Sequence, residues 1–145
     1  MKKIILILLC IFLIGCSKEE KPVEEIEYTK PTEIVKIMRI NISGNEYSVT
    51  LEENDTAQLL ASSLPQEFQM RDKDRNKKYI YLSYKLPAKP EKVKRLEKGD
   101  VVLSGNDCLI LVYNSFDTEE SFTKIGHTND LPTLGYDNMV MRFYK

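Results

Sequence analysis

The chain has 145 residues, 42% of them hydrophobic and 30% charged, and its 21 Lys and Arg against 22 Asp and Glu give a formal net charge of -1. That length suits one domain, the apolar content excludes wholesale disorder, and the lack of a basic excess argues against nucleic acid as a partner. Three cysteines do not make a disulfide framework.

Met1-Lys2-Lys3 precedes an apolar run from Ile4 to Ile14, followed by Gly15-Cys16. Lysines ahead of a short apolar stretch are the charged and hydrophobic parts of a secretory signal. The run of about ten residues is short of the roughly 20 that span a bilayer, and the lysines favour the cytoplasmic side. Leu13-Ile14-Gly15-Cys16 resembles the lipobox of bacterial lipoproteins, where a diacylglycerol is attached to the cysteine thiol and a dedicated peptidase cuts before it. The resemblance implies a signal peptide over 1–15 and Cys16 as the lipidated first residue. It also implies a membrane partner reached through that lipid, at the cell membrane or outer membrane and outside the cytoplasm.

Ser17 to about Glu33 is charged, contains two prolines and has no apolar period, as a solvated spacer does. Cys16 and this tether make a segment over 16–34, and a folded domain is expected over 35–145. Val35 to Ile42 alternates apolar and polar, which predicts a half-buried strand. Gly44-Asn45 supplies the turn, and Tyr47, Val49 and Leu51 form the return strand of a hairpin. Asn54 or Asp55 caps a short amphipathic helix through Ala57, Leu59, Leu60 and Leu64, which Pro65 ends; the helix is expected to plug one open end of a sheet.

Gln66 to Asp72 is a predicted strand, and the charged run from Arg71 to Lys78 reads as an exposed loop. Tyr79, Tyr81 and Leu82 lie in the next strand, and Leu86 to Pro90 is extended. Lys98-Gly99-Asp100 turns into Val101-Val102-Leu103, and Gly105-Asn106-Asp107 is a hairpin turn before the apolar strand Cys108 to Tyr113. Asn114 to Ser121 reads as loop, Phe122 to Ile125 as a short strand, Leu131 to Leu134 as one helical turn, and Met139 to Phe143 as the last strand. About eight short strands with one or two short helices predict a mainly β closed barrel or sandwich.

The order of these elements resembles the cyclophilin-like domain family, in its small bacterial branch rather than the proline isomerases. Asn54-Asp55-Thr56-Ala57, Leu64-Pro65, Tyr79-Ile80-Tyr81-Leu82, Gly99-Asp100-Val101-Val102, Leu109 to Tyr113 and Thr123 to His127 carry the resemblance over roughly residues 36–144. It implies a closed eight-stranded barrel with a groove on one face. The Phe-Met-x-Gln-Gly-Gly signature of the isomerases is absent, there is no Trp, and no catalytic residue is carried over.

Phe68, Met70, Arg71 and Tyr113 are the candidate groove residues. Arg71 is the arginine best placed for an isomerase-like role, with an arginine at a strand end facing water as the plain alternative. Tyr79 and Tyr81 share one face by their spacing, and core packing is their expected role. Cys108, in an apolar run, is expected to be a buried inert thiol. His127 has only Asp130 near it in sequence and reads as a surface turn histidine. Asp72 and Asp74 lack the remainder of a calcium loop, so neither metal nor cofactor is expected. The function these features favour is a lipid-anchored, non-catalytic domain binding a peptide or small molecule. The alternative is a divergent peptidyl-prolyl isomerase using Arg71, Phe68 and Met70, and a third reading is a structural role at the envelope.

Overall fold

The computed structural model describes residues 33–145; the signal segment, Cys16 and nearly all of the tether lie outside the described residues. Alternation sets the first hairpin. Strand β1 (Ile37–Ile42) turns Met38, Ile40 and Ile42 inward, and β2 (Asn45–Leu51) turns Val49 and Leu51 inward beside them. The positive φ angles of the turn fall on Ser43 (52°) and Gly44 (86°). Asn45 is instead the first paired residue, opposite Ile42. The turn is therefore one residue earlier than Gly44-Asn45, because a two-residue hairpin loop needs both of its central residues at positive φ.

Helix α1 (Asp55–Ser62) starts as its sequence indicates: Asn54 is the cap, its Oδ1 accepting the Ala57 backbone N–H at 2.8 Å. Ala57, Leu60 and Ala61 are fully buried in the main core. The chain continues through β3 (Gln66–Lys73), β4 (Lys77–Tyr81), β5 (Glu91–Lys92), β6 (Arg95–Leu96), β7 (Asp100–Ser104), β8 (Cys108–Val112), β9 (Phe116–Asp117), β10 (Ser121–His127) and β11 (Met139–Tyr144). Eight strands pair in the order β1-β11-β3-β4-β8-β7-β10-β2 and back to β1, all antiparallel, so the sheet closes into the expected barrel. β5 extends β10 at its edge, and β6 and β9 form a separate two-stranded ribbon.

Closure rests on a short seam. Only Gly126–Leu51 and His127–Thr50 pair β10 with β2, next to a register shift on β10 between Lys124 and Gly126. A Cβ on Gly126 would lie 2.5 Å from the Thr50 carbonyl oxygen and 2.8 Å from Val49 Cγ1. The backbones can meet there because that residue has no side chain.

The two barrel ends are filled differently. Leu51 of β2 leads into α1 and Gln66 of β3 leads out of it, so the helix covers that end, as expected. Met139 of β11 pairs with Met70, toward the far end of β3, which places the β10–β11 connection, residues 128–138, over the other end. Leu131 and Leu134 from this connection join the core. It contains no helical turn: Pro132 disfavours the helical conformation at Leu131 before it.

The charged run of β3 and β4 corrects the expectation of an exposed loop from Arg71 to Lys78. Only residues 74–76 form the turn. Asp72 and Lys78 point into the barrel, and Lys78 is fully buried. Its ammonium donates to Asp72 Oδ1 at 3.0 Å and to the carbonyls of Gly135 (2.6 Å) and Asp137 (2.7 Å). It also lies 4.9 Å from the centre of the Tyr113 ring. Three acceptors satisfy the three ammonium donors, which is the condition for burying a lysine. Partial burial raises the Asp72 carboxyl pKa, but the hydrogen bonds from Tyr113 and Lys78 and the ammonium charge outweigh it and hold the group below its ordinary value.

Two outcomes follow for stability. Gly126→Ala should destabilise the domain by about 1–3 kcal/mol or more in urea denaturation, since backbone rather than a side-chain tip blocks the added methyl. Lys78→Ala should cost about 3–5 kcal/mol by stranding Asp72. Because the folded Asp72 pKa lies below the unfolded one, its contribution is present above the unfolded value of about 4 and is lost as pH falls through the folded value. Asp72→Asn should therefore flatten the acid limb of the stability–pH curve.

Candidate functional site

Strand β8 is buried at all five positions, which a barrel strand with one wet face is not. Its inward residues Leu109 and Leu111 belong to the main core, while its outward residues Cys108, Ile110 and Val112 join a second cluster with Leu96, Val102 and Phe122. Residues from the β6–β9 ribbon, Leu96 and Phe116, lie over the outside of β7 and β8 and make this second apolar layer. A continuous apolar run is what two-sided burial requires.

The cover is incomplete beside β4. On the outer surface Arg71 stands opposite Tyr79 and Lys73 opposite Lys77. Tyr79 is in turn opposite Ile110, and Tyr81 opposite Cys108. Between them lies a hollow of about 250 Å³ lined by Tyr79, Tyr81, Ile110, Phe122, Cys108, Lys73, Lys77, Ser104 and Glu120. The Tyr79 and Tyr81 rings meet edge to face, with centroids 5.9 Å apart and planes at 82°; Tyr81 remains 67% exposed. Lys77 Nζ lies 4.4 Å over the Phe116 ring and pairs with Asp74 at 3.3 Å. Lys73 has no ion-pair partner among the described residues.

Burial raises the Cys108 thiol pKa and the Asp107 carboxylate adds to that rise, with Lys73 and Lys77 opposing it. The thiol is free and held protonated, so it is a poor nucleophile. His127 is not available to it. The His127 Nδ1 lies 2.7 Å from Asp100 Oδ1 and its Nε2 lies 3.1 Å from Asn129 Oδ1. It is the last residue of β10 rather than a turn residue, and it opposes Asp100 across the sheet. The hollow thus has an aromatic wall and lysines at its rim, over the buried Cys108, Ile110 and Phe122.

A larger cleft of about 460 Å³ lies between the start of α1, residues 87–91 and β10. Three of its polar side chains serve the fold. Asn54 Nδ2 donates to the Lys124 carbonyl at 2.7 Å, the Thr56 hydroxyl to the Pro87 carbonyl, and the Lys89 backbone N–H to Thr123 Oγ1 at 3.0 Å. Its lining is mostly polar and charged, with Pro87 and Ala88 the apolar exceptions.

The four predicted groove residues do not share one wall. Phe68, Met70 and Tyr113 are buried in the barrel core, Phe68 stacking edge to face on Phe143 with centroids 5.3 Å apart. Burial and the Asp72 carboxylate raise the Tyr113 phenol pKa, and its hydroxyl donates to Asp72 Oδ1. Arg71 is exposed on the outer surface, one residue from Met70 and so on the opposite face. Tyr79 and Tyr81 face outward also, instead of packing in the core. Tyr84 caps the core edge, its hydroxyl 3.0 Å from Ser63 Oγ and accepting from Gln66 Nε2 at 2.8 Å. Asp72 and Asp74 diverge, inward and outward, and no cluster of three or more metal-ligating side chains is present among the described residues. Cys16 lies outside them. The hollow's own residues were legible as types, but which side of the sheet they faced depended on strands that the charged run concealed.

Fold and site define a closed antiparallel β-barrel with one helix and an outer-surface hollow. The model of the cyclophilin-like family matches residues 40–142, and the chain belongs to that family. Among solved structures, the hypothetical protein AF2241 from Archaeoglobus fulgidus is similar at a TM-score of 0.54 with 16% identity, covering 79% of this chain and 98% of that one; this likeness concerns the fold. No curated protein matches the chain significantly.

The Cys108 geometry predicts slow chemistry. Iodoacetamide at mildly alkaline pH should alkylate Cys108 at least tenfold more slowly in the native protein than in urea-unfolded protein, as read by mass spectrometry of the tryptic peptide.

Proposed function

We propose that the protein is an extracytoplasmic lipoprotein, held by lipid on Cys16 at the cell membrane or outer membrane, whose cyclophilin-like domain binds a peptide or small molecule without transforming it. The anchor reading is supported by two lysines, a short apolar run and Leu13-Ile14-Gly15-Cys16 in succession. Among the described residues no helix is long and apolar enough to cross a membrane. The binding reading is carried by one observation: beside the outer apolar layer a hollow of about 250 Å³ has Tyr79 and Tyr81 as its wall over the buried Ile110 and Phe122, with Tyr81 67% exposed. The exposed Tyr81 ring keeps apolar surface in water at this hollow, and a ligand stacked on it removes that surface.

An isomerase centre built from Arg71, Phe68 and Met70 has no support in this geometry, because the guanidinium is outside the barrel and the two apolar side chains are inside it.

The anchor is tested by expressing the full chain in a bacterium and analysing its mature N-terminus by mass spectrometry. A diacylglyceryl-modified Cys16 is expected, with Cys16→Ser left unprocessed; an unmodified N-terminus in the wild type defeats the reading. The binding surface is tested by titrating a fragment and short-peptide library against labelled protein. Amide shifts should cluster at residues 79–81 and 108–110, and Tyr79→Ala should weaken the best ligand at least tenfold.

A further inference from the structure

We infer that the outer-surface hollow is selective for anionic ligands with a flat apolar body, of the aryl carboxylate class. The inference rests on the reading that the domain binds at this hollow, and it adds the charge and shape of what enters.

The charge argument starts from strand register. Lys73 and Lys77 are direct cross-strand partners on the outer surface, and Arg71, the next outward residue on β3, is opposite Tyr79. Like charges directly opposite one another are unfavourable in an antiparallel pair. Lys77 turns toward Asp74 and the Phe116 ring, which leaves Lys73 without a carboxylate among the described residues, and Arg71 likewise. The hollow's lining includes two ammonium groups and one carboxylate, Glu120. A ligand carboxylate at the Lys73 side completes a charge-assisted pair. A cationic ligand meets repulsion at the same rim.

The shape argument starts from volume. The hollow measures about 250 Å³, and a cavity of about 150 Å³ already accepts benzene, so one ring fits and a fused or branched system fills it to the rim. The upright Tyr79–Tyr81 pair supplies a wall that meets a ring by stacking or by its edge, over the buried Ile110 and Phe122. Cys108 lines the site as a protonated thiol and adds apolar surface rather than reactivity.

The test uses the chain from residue 17 onward, which retains every strand of the closed barrel and its core. Labelled protein is titrated with 3-phenylpropionate, 3-phenylpropionamide and 3-phenylpropylamine, and with acetyl-Phe-Glu-amide as the same chemistry carried on a peptide. The expected result is binding of the acid with amide shifts around Tyr79, Tyr81 and Ile110. The neutral amide should bind at least fivefold more weakly and the amine should cause no such shifts. Lys73→Gln and Arg71→Gln, both at exposed positions, should weaken the acid at least threefold and leave the neutral amide unchanged. Equal binding of acid, amide and amine overturns the anionic class while leaving the hollow a ligand site. Absence of shifts from all four probes, or shifts confined to the cleft at the start of α1, overturns the binding reading as well.

Discussion

Everything in this fold depends on closing a sheet of eight strands across one short seam. Two residue pairs join β10 to β2, and at one of them the backbones approach so closely that only a glycine leaves room. The register shift on β10 beside Gly126 bends that strand into the seam. Without the seam the sheet has two long open edges, and the inward residues of β1, β2, β3, β7, β8 and β11 have no shared interior. With it, alternation along each strand assigns every side chain to the inside or the outside of a cylinder.

That assignment is what makes a site possible. A barrel whose outer surface were uniformly polar would have nothing to offer an apolar ligand. Here the β6–β9 ribbon lies on the outside of β7 and β8, so these strands are apolar on both faces. The ribbon meets β4 where Lys77 lies over Phe116, and Tyr79 and Tyr81 stand beside that contact. The hollow is therefore a consequence of partial coverage: apolar floor from the wrapped strands, aromatic wall from the uncovered one, and cations from the hairpin beside it.

The far end of the barrel shows the opposite use of charge. Lys78, Asp72 and Tyr113 form a satisfied polar set under the 128–138 connection, with two backbone carbonyls of that connection completing the ammonium's partners. A buried charge is tolerable only when its donors are all engaged, and here that requirement ties the long connection to β4. Adjacent residues in one hairpin thus do different work: Asp72 and Lys78 organise the interior, whereas Arg71, Lys73 and Lys77 face solvent and the hollow.

Much of this was legible in the residues alone. Alternation from Val35 to Leu51 named the first hairpin, Asn54-Asp55 marked the helix start, Pro65 marked its end, and the run Cys108 to Tyr113 named an apolar strand. What misled was the run Arg71 to Lys78, whose unbroken charge concealed a period of two because a buried Lys–Asp pair looks, in one dimension, the same as a solvated one. The groove assigned to Phe68, Met70, Arg71 and Tyr113 mixed adjacent residues that a strand sends to opposite faces. Sequence by itself determined the principal strands and the helix, the family resemblance and the lipobox pattern at Cys16, since these are set by local spacing; Phe116–Asp117 of the ribbon lay in a stretch read as loop. Only the tertiary structure decided which face each side chain occupies and where the outer layer is left open. Those depend on pairings between residues far apart in the chain, such as Gly126 with Leu51 and Tyr79 with Ile110, and no local pattern encodes them.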